Sequence, residues 1–215
     1  MLERWFGERG WLYRFLDRLW DLLVLNLLFV LTSIPIVTIG ASFSALYSVT
    51  LKAVKGEESY IVRSYLTAWK ENLKKGTLLW LLVAGVAVTL GIDIFVLGKD
   101  SEVLGSILVF AGGLFSIMWI LTGIYVFPLQ AWFENSVPYT ILNSFVIAVK
   151  YFPSTIQAAG ILTAGPILAV LLGIFFPSLF GWFCSLFLFV GFSGTAYVSS
   201  FVFRRTFSQL IPENI

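Results

Sequence analysis

The chain reads as an all-α, polytopic membrane protein, a bundle of six transmembrane helices with an amphipathic helix on the inner side, and three observations predict it. Hydrophobic residues fill 59% of its 215 positions and charged residues 12%, against about 45–50% and about 25% in an average soluble domain. A soluble fold of this size has too little interior to hide so much apolar surface, so lipid must solvate much of it. The third observation is charge placement. Threaded as six helices with both termini inside, the chain leaves only Lys99 of its fourteen lysines and arginines on the outer side, as the positive-inside rule favours. The whole of 1–215 is read as one integral membrane domain.

Residues 1–16 form an interfacial lead-in. Up to Asp21 the chain carries four charges of each sign interleaved with Trp5, Phe6, Trp11, Tyr13 and Phe15, which suits aromatic rings at headgroup depth. The first span runs from about Asp17 to Pro35, where proline breaks the helix. The second, about Val37 to Val54, is barely long enough for a core of about 30 Å, so five crossings plus a re-entrant segment is the alternative. A re-entrant loop would leave five basic residues outside and nine inside, against one and thirteen for a crossing, and the crossing is preferred.

An amphipathic helix is expected over 57–76. Ser59 caps it, Glu57 and Glu58 suit its positive end and Gly76 stops it. Val62, Tyr65, Leu66, Trp69 and Leu73 recur at helical spacing on one side, and Arg63, Lys70 and Lys74 form a second stripe. That stripe suits anionic lipid or a partner. Beyond it come a third span, Thr77 to Leu97, an outer turn at Lys99–Glu102, and a fourth span of about Ser106 to Phe133, long enough to tilt or kink at Pro128. A polar stretch from Glu134 to Lys150 leads to a fifth span near Thr155 to Phe176. Pro177 and Ser178 turn the chain outside, and the sixth span ends at Arg204 and Arg205.

The chemistry is bounded by composition. With no histidine and one cysteine, Cys184, in an apolar run, the chain cannot assemble a Cys/His metal cluster or nucleophile pair by itself. No phosphate-binding G-x-x-x-x-G-K-[ST] loop occurs, and a net charge of +2 argues against a nucleic-acid partner. The expectation is a non-enzymatic protein without metal or cofactor, whose partner of first resort is the bilayer.

Candidate intramembrane polar sites are Asp17, Arg18, Asp21, Asn26 and Asp93. Arg14 with Asp17, and Arg18 with Asp21, are spaced to pair on a helix, which is the simpler reading; pointed into the bundle, Asp21 and Asn26 would mark a path or a contact. Asp93 stands alone in the third span. Candidate partner or lipid contacts are Arg63, Trp69, Lys70 and Lys74 on the amphipathic helix, together with Gly165, Ala169 and Gly173, a small residue at every fourth position of span five that permits close helix approach.

The stretch from Leu16 to Gly76, especially Asp21-Leu-Leu-Val-Leu-Asn26, Ser33-Ile-Pro-Ile-Val-Thr-Ile-Gly-Ala41 and Lys70-Glu-Asn-Leu-Lys-Lys-Gly76, resembles the YesL-like family of bacterial membrane proteins, a domain of unknown function. The resemblance implies a multi-pass protein of the bacterial plasma membrane. It also implies a context, since relatives are commonly encoded beside ABC importers and enzymes for plant oligosaccharides. Permeases of such importers carry an inner E-A-A loop with a following glycine; Ala68–Gly76 occupies a comparable position without that motif, which points to an accessory of the ABC importer permease subunits.

Overall fold

The computed structural model describes residues 11–57, 60–98 and 103–210, and every regular element among them is helical. Helix α1 is Trp11–Ser33. Pro35 ends it, a 3-10 turn at Ile36–Thr38 reverses the chain, and α2 follows as Ile39–Lys55. Gly56, at φ 78°, closes α2 in the left-handed conformation that glycine adopts without strain. Its N–H bonds the Ala53 carbonyl and the Glu57 N–H bonds that of Lys52, which satisfies carbonyls the helix end would otherwise orphan.

Helix α3, Ile61–Leu97, joins two elements that the sequence reads as separate. The expected amphipathic helix over 57–76 is its first part, and Gly76 does not stop it. A Cβ on Gly76 would lie 2.8 Å from the Ala41 Cα and 3.0 Å from the Gly40 carbonyl carbon. Gly76 therefore serves close passage of α2 rather than termination. Ser59 and Glu58 lie outside the described residues; Tyr60 occupies the N-cap position without a side-chain bond. The lead-in up to Gly10 and the outer turn Lys99–Glu102 are likewise outside them.

Helix α4, Val103–Trp132, runs through Pro128. Where the sequence reads a polar connection, the chain forms a further helix, α5, Val137–Lys150. Its N-terminus is favoured by Pro138, whose missing donor costs nothing in a first turn. Helix α6 is Phe152–Phe175 and α7 is Pro177–Leu186. A π turn at Phe187–Gly191 joins α7 to α8, Phe192–Ser208.

Five stretches are long and apolar enough to cross a bilayer: Ile36–Lys55, Ile61–Leu97, Gly105–Trp132, Phe152–Phe175 and Pro177–Ser208. Helix α1 does not join them, because Asp17, Arg18 and Asp21 shorten its apolar run. The molecule is a multi-pass helical membrane protein with its polarity turned inward. Asn26, Ser44, Thr140, Ser144, Ser199 and Ser200 are fully buried, while Val88, Phe95, Phe110, Ile117, Val170 and Phe175 are exposed. In water that arrangement would be unstable; in lipid it places hydrocarbon against hydrocarbon.

The packed core occupies one end. There α2 is enclosed by α1, α3, α4 and α8, and rings of Tyr47, Tyr125, Phe203 and Phe207 meet at centroid distances of 5.4–6.4 Å. The described lysines and arginines gather at this same end, on α1, at the end of α2, on the first half of α3, at the end of α5 and near the end of α8. It is called the basic end below.

Candidate functional site

Asn26 is the buried polar residue that carries most structure. Its Nδ2 donates to the Leu188 carbonyl at 2.6 Å, and its Oδ1 accepts from the Ser193 N–H at 2.9 Å. These two backbone groups are five residues apart, the spacing of a π-type bond. The amide of Asn26 thus stands in for one missing rung where the π turn passes into α8. Ser193 completes the contact by donating its hydroxyl to the Leu22 carbonyl at 2.7 Å.

Along α2, hydroxyls replace apolar contacts. Thr50 meets Ser200 at 2.9 Å and Tyr47 meets Ser199 at 3.4 Å. At the turn between α1 and α2, the Thr32 hydroxyl lies 2.6 Å from the Tyr65 hydroxyl and accepts from Ser42 at 3.0 Å. On the other side of the core Gln130 donates to Asn72 Oδ1 and accepts from Thr140, both at 3.2 Å. Such side-chain bonds between helices contribute about 0.6–2 kcal/mol each in a membrane.

At the basic end Arg204 donates to the Val54 carbonyl at 2.8 Å, a cation completing a helix C-terminus. Lys55 stands 3.8 Å from the Trp132 ring centroid, within cation–π range, and 4.0 Å from Glu57. Arg204→Met should lower unfolding stability by about 1 kcal/mol, whereas Arg205→Met should change it by less than about 0.5 kcal/mol. Denaturation in mild detergent measures both, and equal effects would remove the assigned cap.

The charged candidates of α1 separate by depth. Asp17 is exposed, while Arg18 and Asp21 are half-buried. The Arg18 guanidinium lies 5.6 Å from the Tyr197 ring centroid. Asp93 is exposed near the far end of α3, whereas Asn26 is sealed at the crossing of α1 with the last helix. The fold does not bring these two together. Gly165 receives the Phe187 ring, whose Cζ would be 3.0 Å from an added Cβ, and Gly173 lies under Phe180 at 3.6 Å. The small-residue stripe of Gly165, half-buried Ala169 and Gly173 accommodates rings of its own chain.

The first half of α3 has two unlike faces. Tyr65, Ala68, Gly76 and Leu79 are buried, with Ile61 and Trp69 packed against the core. The indole nitrogen of Trp69 is buried without a hydrogen-bond partner among the described residues. Val62 and Leu66, grouped with the apolar stripe by periodicity, instead face outward beside the exposed Arg63, Lys70 and Lys74. Tyr60, Val62, Arg63, Leu66, Thr67 and Lys70 line a shallow, open hollow there. Residues 22–94 match the family of proteins of unknown function DUF624.

The DUF624 segment covers about a third of the chain and overlaps the stretch from Leu16 to Gly76 that carries the resemblance. It holds the second half of α1, all of α2 and α3 as far as Ile94, so the Gly40–Gly76 crossing and Asn26 both fall inside it. The backbone groups that Asn26 binds, on Leu188 and Ser193, fall outside. No curated protein and no solved structure matches the chain. Among the described residues no group of three or more His, Cys, Asp or Glu side chains is placed to hold a metal ion, and Cys184 is an exposed free thiol.

Proposed function

We propose that the chain is a non-enzymatic accessory subunit of a carbohydrate ABC importer in the bacterial plasma membrane, with its basic end and both termini cytoplasmic. One observation carries this reading. The first half of α3 is packed against the core by its inner face while its outer face presents Arg63, Lys70 and Lys74 among exposed Tyr60, Val62 and Leu66. Mixed apolar and cationic surface on a helix packed against the core suits a protein contact better than a solvated face. The basic end supports the cytoplasmic assignment through the positive-inside rule. The importer is named from the resemblance, an associational argument.

A photo-crosslinker at Leu66 or Lys70, introduced in the native host, should trap a permease subunit, and one at Val88 on the lipid-facing half of α3 should not. Crosslinking of Leu66 and Lys70 to lipid alone would defeat the proposal. A small transporter or lipid-handling protein is the second reading, with Asp21, Asn26 and Asp93 along a path. Against it stands the Asn26 amide, both of whose ends are committed to backbone groups. Flux of sugar, ion or lipid in reconstituted vesicles would restore that reading.

A further inference from the structure

The register between α2 and α3 assigns α2 a height. The two helices are joined by residues 56–60 and fold back on each other, with Gly40 meeting Gly76 and lying 2.6 Å, for an added Cβ, from the Trp80 Cβ. Helix α2 therefore lies beside Ile61–Trp80, the stretch that bears Arg63, Lys70, Glu71, Lys74 and Lys75 on its exposed side. None of α2 lies beside Leu81–Leu97, a further rise of about 25 Å. The turn between α1 and α2 consequently ends about 25 Å short of the far end of α3.

A hydrocarbon core of about 30 Å accommodates one or the other half of α3, not both. Placed around Leu78–Leu97, it meets exposed Leu81, Val88, Ile92 and Phe95. Placed around α2, it would hold Lys70, Glu71, Lys74 and Lys75 in lipid. The first placement is the one chemistry permits. Helix α2 is also the least apolar of the five long stretches and by far the most enclosed by protein, so its apolar residues meet a protein interior.

Helix α1 shares that height. Arg18 meets Tyr197, Leu22 meets Ser193, Asn26 meets Leu188 and Ser193, and Phe29 meets Phe192. These partners fall within ten consecutive residues: from Arg18 to Asn26 they step back from Tyr197 to Leu188, antiparallel to α1, and at Phe29 they go no further. Helix α1 follows the last span over this short stretch only and then reaches Ser42 and Tyr65 through Thr32. Its outward side carries Trp20, Leu27, Leu31 and Ile34, at steps of seven, four and three, continued by Ile36 on the turn; each is more than half exposed. Polar contacts lie beneath that stripe and charges lie at its N-terminal end.

We propose that α1 and α2 do not cross the bilayer but form a hairpin inserted from the basic side, its apolar stripe and turn seated in the acyl chains of the nearer leaflet. The crossings are then four: the second half of α3, the first half of α4, α6, and α7 continued through the π turn into α8. The surface fits lipid because an apolar helical face flanked by charge at one end is what an interfacial helix presents. Charge distribution accommodates the hairpin without change. Both termini keep their sides when two crossings are removed together, so thirteen basic residues still oppose Lys99. The inference does not depend on the importer.

The test uses the full chain with Cys184→Ser as background and single cysteines at Ile36, at Ser101 in the far turn and at Glu71 on the basic face. In sealed vesicles of one orientation, a membrane-impermeant maleimide added on the Ser101 side should label Ser101→Cys and label Ile36→Cys at least tenfold more slowly. A spin label at Ile36→Cys should be relaxed by oxygen and shielded from a water-soluble nickel chelate, while one at Glu71→Cys is exposed to the chelate. Labelling of Ile36→Cys from the Ser101 side at a comparable rate would establish a complete crossing and overturn the proposal. Chelate exposure at Ile36→Cys equal to that at Glu71→Cys would overturn its seating in lipid. Ile36 is 71% exposed, and Ile34→Cys serves as a second site with the same expected results.

Discussion

Asn26→Ala should lower unfolding stability by about 2–3 kcal/mol, among the largest effects available to a single polar substitution in this chain. The estimate follows from leaving the Leu188 carbonyl and the Ser193 N–H buried without the amide that serves both, at about 1–3 kcal/mol per group before relaxation. Relaxation is limited: these groups could meet directly only if the π turn tightened, and the Phe187 ring, packed against Gly165 and Gly191, resists that movement. Asn26→Asp discriminates further. It keeps an oxygen to accept from Ser193 but turns a second oxygen toward the Leu188 carbonyl in a site with no exposure, so it should be at least as damaging as alanine. Leu27→Ala, one residue away and 60% exposed, should cost little. Reversible unfolding in mixed micelles measures all three. Wild-type stability in Asn26→Asp would show that the amide nitrogen contributes nothing.

The second large effect has a sign opposite to the one helix propensity predicts. Gly76 lies inside α3, where alanine is favoured over glycine by about 1 kcal/mol. Gly76→Ala should nevertheless destabilise, by about 1–3 kcal/mol net, because the new methyl would sit 2.8–3.0 Å from backbone atoms of Gly40 and Ala41, which cannot rotate away as a side chain can. Gly76→Leu should yield no folded monomer. Gly85, on the same helix with open space around its Cβ position, provides the control: Gly85→Ala should be neutral or stabilising by up to about 1 kcal/mol. Destabilisation of equal size at both glycines would mean that close approach is not the reason for Gly76.

Features set by local chemistry were legible. Pro35 ends α1 where the sequence places the break, because proline geometry acts within a few positions of itself. Gly76 looks like a helix stop by its residue type alone, but its role is set by Gly40 and Ala41, which no local pattern names. Val62 and Leu66 share the helical spacing of Tyr65 and Trp69, but lipid and protein interiors ask for the same side chains, so hydrophobic period alone does not tell which face turns inward. Helix α5 shows the same ambiguity in stronger form. Its buried side is Thr140, Ser144 and Ala148 with Ile147, and its outer side includes Leu142, Val146 and Val149, the reverse of the soluble pattern. The cost of a buried amide singles out Asn26 in the sequence, but its partners lie more than 160 residues away and have no sequence signature. Charge counting had a definite blind spot. It compares topologies that move a terminus across the membrane, and is silent between those that differ by a pair of crossings.

Helix α3 is one continuous rod of 37 residues, about 55 Å long, and at Gly76, where it passes close to Gly40 and Ala41, it has no side chain. Such a contact resists separation of two helices more than it resists rotation between them. Taken as a fulcrum, it divides the rod into arms of about 22 Å toward Ile61 and about 32 Å toward Leu97. A tilt forced on the shorter arm would swing the other end in the opposite sense through a displacement roughly 1.4 times as large, the ratio of those lengths.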